Sequence, residues 1–424
     1  MNFSKRAVAA VAAVVSLAIP LAGCAASTAS SSSSSAVATS SASTASAASG
    51  ATTIDGISAG TYTATFDGKQ VTLSGAYLID GKPVTVDSGT YASATADQAV
   101  FLVVNGGSLT VTGATITKSG DATANSQQNT GDVSDDYNFY GLNSAVVVVG
   151  EGSSATIDGS TITTTSSGSN AVVSTLSGKA TVTGTTITTS GNSSRGLHAT
   201  YEGEITGSDL TITTSGAHSA ALATDRGSGT VTVTGTNTFN TSGDGSPLLY
   251  STGTISASGV TGTSSGAEAV VVEGKNHATL TDSKVTSKGS YAVMLYQSFS
   301  GDAADANAQA EVSTLVLKNT TITYTGTGPL LYFTNTSAKV TMTDSSFSST
   351  SASDLAKAAE DRWGNSGSNG ATVTIEVAGS KLSGAVTADD SSSICVKLTD
   401  SSQLSGTTSG SVKVTADSSS SQKS

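Results

Sequence analysis

Short stretches in which apolar and polar residues alternate recur along most of the chain. "ATVTGTTITTSG" at 180–191 is representative: an alternating run, a turn residue, a second alternating run. Related segments are "LTVTGATITKSG" (109–120), "ATIDGSTITTTSSG" (155–168), "EITGSDLTITTSG" (204–216), "ATLTDSKVTSKG" (278–289) and "LVLKNTTITYTG" (315–326). A period of two marks strands that present one face inward, and no helical period lies between them. About a dozen residues after each such segment comes a second apolar motif: "SAVVVVG" (144–150), "RGLHATY" (195–201), "SAALATD" (219–225), "SPLLYST" (246–252), "YAVMLYQ" (291–297), "GPLLYFT" (328–334). The unit repeats at about 24 residues, enough for three short strands and three corners. This predicts an all-β chain wound as a parallel β-helix of about 11–12 coils, three strands per coil. Coils stacked at about 4.8 Å give a rod roughly 50–60 Å long.

The alternation also assigns faces. One inward column reads Val111, Ile157, Val182, Ile205 and Val233; after the turn comes Ile116, Ile162, Ile187 and Leu210. In the second motif the inward column is Val146, Val172, Leu197, Ala221 and Leu249. Its outward neighbours include His198, Leu222, Tyr250, Met294 and Tyr332, with Tyr296 two residues beyond Met294. A stripe of this kind is unusual on a solvated face. Either His198, Tyr250, Met294, Tyr296 and Tyr332 form a ligand-binding platform, since aromatic rings stack on sugars and peptide side chains, or an inserted loop covers them. Three insertions break the period, at 120–143, 297–313 and 350–371. The last holds "DLAKAAEDRWGNSGSNGA", where the one short helix is expected, and the only Trp, Trp363.

Composition adds the setting. Lys5 and Arg6 precede an apolar run at 7–20 too short for a confident membrane span, which ends in "LAGC" with Cys24. This resembles the bacterial lipoprotein box, which implies a signal peptide over 1–23 and an acylated Cys24 that attaches the chain to a membrane from the extracytoplasmic side. Residues 24–50 then form a Ser/Ala/Thr tether, 51–416 the β-helix and 417–424 a disordered polar tail. With Cys24 acylated, Cys395 has no disulfide partner. A net charge of −12 argues against nucleic acid as a partner.

Candidate chemistry is sparse. Asp225 and Arg226 sit at the corner after one second-motif strand, and the equivalent corner one coil earlier carries Glu202. Glu273 follows two coils later, so neighbouring coils can group Glu202, Asp225, Arg226 and Glu273 as weak catalytic candidates. His218 and Asp225 lie at opposite ends of one strand and form no pair within the coil. Asp132, Asp135, Asp136 and Asn138 are acid-rich, but their spacing matches no standard Ca²⁺ loop. No metal site and no cofactor is expected.

The segments "SRGLHATYEG", "SGAHSAALATDRGSGTV", "SGDGSPLLYSTG", "VMLYQSFSGDA" and "DRWGNSGSNG" resemble bacterial right-handed parallel β-helix surface proteins of the pectin-lyase-like fold, often labelled adhesin-like. That resemblance implies the fold and a surface location but no reaction. The leading expectation is a surface lipoprotein that binds a glycan or another surface ligand. The alternatives are a polysaccharide lyase or glycoside hydrolase, and a structural spacer.

Overall fold

The computed structural model describes residues 52–124, 133–226, 228–298, 311–351 and 354–423. The signal segment, Cys24 and the tether lie outside the described residues, as do 299–310 of the second insertion. The chain forms a parallel β-solenoid of about twelve turns built on three long sheets. Each turn visits the sheets in order. Val172–Thr175 lies in sheet I, Lys179–Thr183 in sheet II and Thr186–Thr189 in sheet III; the next turn resumes sheet I at Leu197–Thr200.

Alternation explains the packing. In Thr186–Thr189, Ile187 is buried while Thr186 and Thr188 are exposed, and Ile187 stacks in register between Ile162 and Ile212. The three inward faces share one continuous core from Tyr77 to Leu404. At the sheet III–sheet I corner, buried serines tie each coil to the next. The Ser169 amide donates to Ser194 Oγ, Ser194 to Ser219 and Ser219 to Ser246, each at 2.9 Å. Ser160, Asn237 and Ser283 accept in the same way from the preceding coil's amide at the sheet II–sheet III corner. These ladders satisfy corner donors that the strands leave unpaired. They account for a Ser- and Thr-rich sequence that folds.

The register differs from the expectation at three places. Gly207 lies opposite Val182, so Ile205 packs one pair earlier, beside Ala180. Ile212, rather than Leu210, continues the Ile187 column. Leu222, rather than Ala221, pairs with Leu197 and Leu249 and joins the core, which places Ala223 in the outward column. The corner serines decide the last case: Ser194 aligns with Ser219, and counting on from them brings Leu197 to Leu222. A one-residue slip exchanges the two faces.

Helix and tail also differ. The expected helix in 350–371 contains instead the strand Ala356–Ala358, whose alanines fill inward positions between Leu331–Phe333 and Val386–Ala388. Sheet pairing there overrides the helical preference of an Ala-rich run. The helix observed is Asp135–Tyr140, in the first insertion, closed by Gly141 at φ 73°. Strand Ser421–Lys423 pairs in parallel with Gln403–Ser405, so the stack continues past residue 416 into the segment read as tail.

Candidate functional site

The outward face of sheet I carries two in-register columns. The first runs Val147, Val173, His198, Ala223, Tyr250, Val271, Met294, Tyr332. The second pairs Thr200 with Asp225 and, further on, Glu273 with Tyr296 and Thr334. Insertions cover this face at both ends and leave it open in the middle.

At the N-terminal end, strands Gly60–Phe66 and Lys69–Asp80 form an antiparallel hairpin, and the Asp135–Tyr140 helix packs beside it over Val147, Val149 and Val173. The Phe66, Tyr140 and Tyr201 rings meet there. The helix is fastened by polar contacts. Arg195 Nη1 donates to Asn138 Oδ1 at 2.6 Å, and the Thr200 hydroxyl donates to the Phe139 carbonyl at 2.8 Å. The Arg226 guanidinium lies over the Phe139 ring at 4.1 Å. At the other end, Tyr332 stacks on Tyr291 at 4.0 Å and donates to Asp361 at 2.7 Å. Asn369 donates from its side-chain amide to the Asp361 and Trp363 carbonyls, which holds the Trp363 ring 5.2 Å from that of Tyr296.

Between these walls lies a cleft of about 360 Å³. Asn138, Phe139 and Arg195 form one wall, Tyr296, Arg362 and Trp363 the other, and Asp225, Tyr250, Val271 and Met294 lie between. His218, Pro247 and Glu268 line it from the sheet III–sheet I corner.

Two buried networks support it. His198, fully buried, meets Asp225 through Nε2 at 2.8 Å, and Arg195 approaches the same Asp225 oxygen at 3.5 Å. Burial lowers the His198 pKa, and the Arg195 charge acts in the same direction; the bond to Asp225 opposes both. Glu273, also fully buried, accepts from the Tyr250 hydroxyl at 2.5 Å, the Tyr296 hydroxyl at 2.9 Å, and the amide and hydroxyl of Ser298. Burial raises its pKa against the pull of those donors. Burial likewise raises the Glu268 pKa, opposed by backbone amides that include Tyr291.

The expected stripe is therefore divided. Tyr250, Met294 and Tyr296 line the cleft, whereas His198 lies beneath it and Tyr332 is packed behind the far wall. The expected grouping of Glu202 with Asp225 does not form. Thr200 is the residue opposite Asp225, and the chain then turns through left-handed Tyr201 and Glu202, leaving Glu202 exposed and bonded to Ser177. The partners of Asp225 are His198 and Arg195. Arg226 serves the helix wall, and Glu273 braces two tyrosines from below.

Asp136 pairs with Lys69 and Asn138 with Arg195, so these two do not converge on one point; Asp132 and the side chain of Asp135 lie outside the described residues. Glu268, Arg195 and Arg362 are among the cleft residues the alternation does not mark, since they sit at corners and in an insertion. The one available signal was a charged residue at a corner just before an apolar motif, as in "SRGL" and "AEAVVV".

Residues 144–309 match the family model of a right handed beta helix region. The chain is a right-handed parallel β-helix. The matched coils of this β-helix carry the cleft from Arg195 to Tyr296, and the architecture fits the pectin-lyase-like class. No curated protein matches the chain.

Proposed function

We propose that this β-helix is an extracytoplasmic, lipid-anchored surface protein that binds a carbohydrate in the sheet I cleft. One observation carries the binding reading: Tyr250, Tyr296 and Trp363 come together with Arg195, Asp225 and Glu268 in a single walled cleft. Aromatic faces suit the C–H faces of sugar rings, and a few fixed polar groups orient the hydroxyls. The anchor reading rests on "LAGC" and Cys24.

A glycan panel applied to the full chain tests the binding. Trp363→Ala and Tyr250→Ala should each weaken the best-bound glycan at least tenfold, about 1.4 kcal/mol. Unchanged binding in both variants overturns the site assignment. Absence of any glycan binding leaves the rod a spacer.

A second reading, glycoside hydrolysis, is favoured by Asp225 and Glu268 sharing the cleft, because hydrolysis needs two carboxyl groups, and burial raises the pKa of Glu268 as a general acid requires. The same incubations assayed for new reducing ends decide it. Release that disappears in Glu268→Gln supports hydrolysis, and no release removes it.

A further inference from the structure

We propose that the cleft takes the terminal residue of a glycan, entering end-on, and that this residue carries a carboxylate or a sulfate. The inference rests on the carbohydrate reading and deepens it. It comes from the shape of the cleft and from one arginine.

The cleft is closed along the rod axis in both directions. Asn138 and Phe139 stand over the coil of Arg195 and His198; Arg362 and Trp363 stand over the coil of Tyr296. The strands between them that line the floor are those of Asp225, Tyr250, Val271 and Met294, three steps of about 4.8 Å. A polymer laid along the rod would run into both walls. The volume, about 360 Å³, lies near the lower end of small-molecule sites, roughly 300–1,000 Å³, which suits a short ligand.

The charge comes from Arg362. Within the cleft, Arg195 already faces Asp225 and Asn138. Arg362 is exposed and stacks on Trp363 at 4.6 Å, with no ion pair among the described residues. A guanidinium lying over a ring keeps its N–H donors available, and two of them can grip a carboxylate or sulfate. In a chain of net charge −12, an arginine without an ion pair beside two aromatic rings defines a local anion site attached to a sugar-stacking surface. Glu268, the uncompensated acid of the lining, has its carboxyl pKa raised by burial, which lessens its opposition to an anion.

Titration calorimetry on the full chain with matched methyl glycosides of glucose, galactose and mannose tests this. Each sugar is supplied neutral, as the uronic acid and as the 6-sulfate. At least one acidic form should bind tenfold or more tighter than its neutral partner. Arg362→Ala should abolish that difference, and Arg362→Lys should restore part of it; circular dichroism of these surface variants confirms an intact fold. A tighter uronic acid identifies a carboxylate ligand, a tighter 6-sulfate a sulfated one. An oligosaccharide with the acidic residue at its non-reducing end should bind, and one with that residue only in the interior should not.

Equal binding of the interior form overturns end-on entry. Neutral sugars that bind as well as acidic ones, with loss in Trp363→Ala but not in Arg362→Ala, overturn the anion assignment and leave the carbohydrate reading intact. The anion assignment falls equally if the wider panel yields ligands but none of these acidic sugars binds. If no glycan binds at all, the carbohydrate reading itself falls.

Discussion

Asp225 is the acceptor on which the near wall of the cleft depends. It receives His198 and Arg195, and Arg195 in turn holds Asn138 of the helix. Removing the carboxylate leaves a buried guanidinium and a buried imidazole without their shared partner. Asp225→Ala should therefore cost about 3–5 kcal/mol in chemical denaturation, with Asp225→Asn costing less because an acceptor oxygen remains. His198 sets a pH dependence of known sign. Its folded pKa lies below the ordinary value of about 6.5, so the unfolded chain binds the proton more readily. Between the two values the folded state holds fewer protons, stability rises with pH, and it is lost as pH falls below about 6.5. Melting temperatures followed from about pH 7 to pH 5 should drop less steeply in His198→Gln than in the unaltered chain; parallel slopes would show that His198 does not carry the effect.

At the scale of strands and corners, close packing of successive coils depends on glycine. A methyl group on Gly191, Gly216 or Gly243 would come within 1.9, 1.8 and 1.7 Å of the preceding coil's carbonyl oxygen. The repeated "SG" after each sheet III strand thus marks where backbone meets backbone. Gly262 plays the same part inside a strand: it lies opposite Phe239 in the Ile187–Ile212 column, where a Cβ would sit 1.8 Å from the Phe239 carbonyl. Gly262→Ala should destabilise by on the order of 3 kcal/mol, against less than about 0.5 kcal/mol for Thr188→Ala on the exposed face, both measured by denaturant titration.

These elements also show what alternation conveys. It identified strands, corners and the core stripe of sheet I, because burial on one face imposes a period of two. It left Ile205 and Leu210 two residues out of register, since neighbouring inward positions in one strand are equally apolar. It mistook Ala221 for Leu222, since the corner serine that sets the count is polar and buried. Inward polar residues escape a reading that equates inside with apolar.

For the whole molecule, the coils and the insertions differ in what they disclose. Each coil contacts chiefly its neighbours, so the rod was legible from any few repeats. The cleft was not, because its walls come from aperiodic segments whose contacts, Arg195 with Asn138 and Tyr332 with Asp361, join residues that no repeat relates. The outward aromatic column matches the expectation except at Leu222, whose place Ala223 takes. What the insertions do to it, burying His198 and Tyr332 and sparing Tyr250 and Met294, is a tertiary fact.

The two walls give the cleft a graduated scale. Asn138 and Trp363 are anchored to separate coils, and the gap between them is set by how many coils intervene, each contributing a step of about 4.8 Å. Gain or loss of one whole repeat between them would move the jaws by that fixed increment without altering the contacts that fasten either jaw. The length of such a cleft can then change in discrete notches, as on a caliper, while the chemistry at each jaw stays the same.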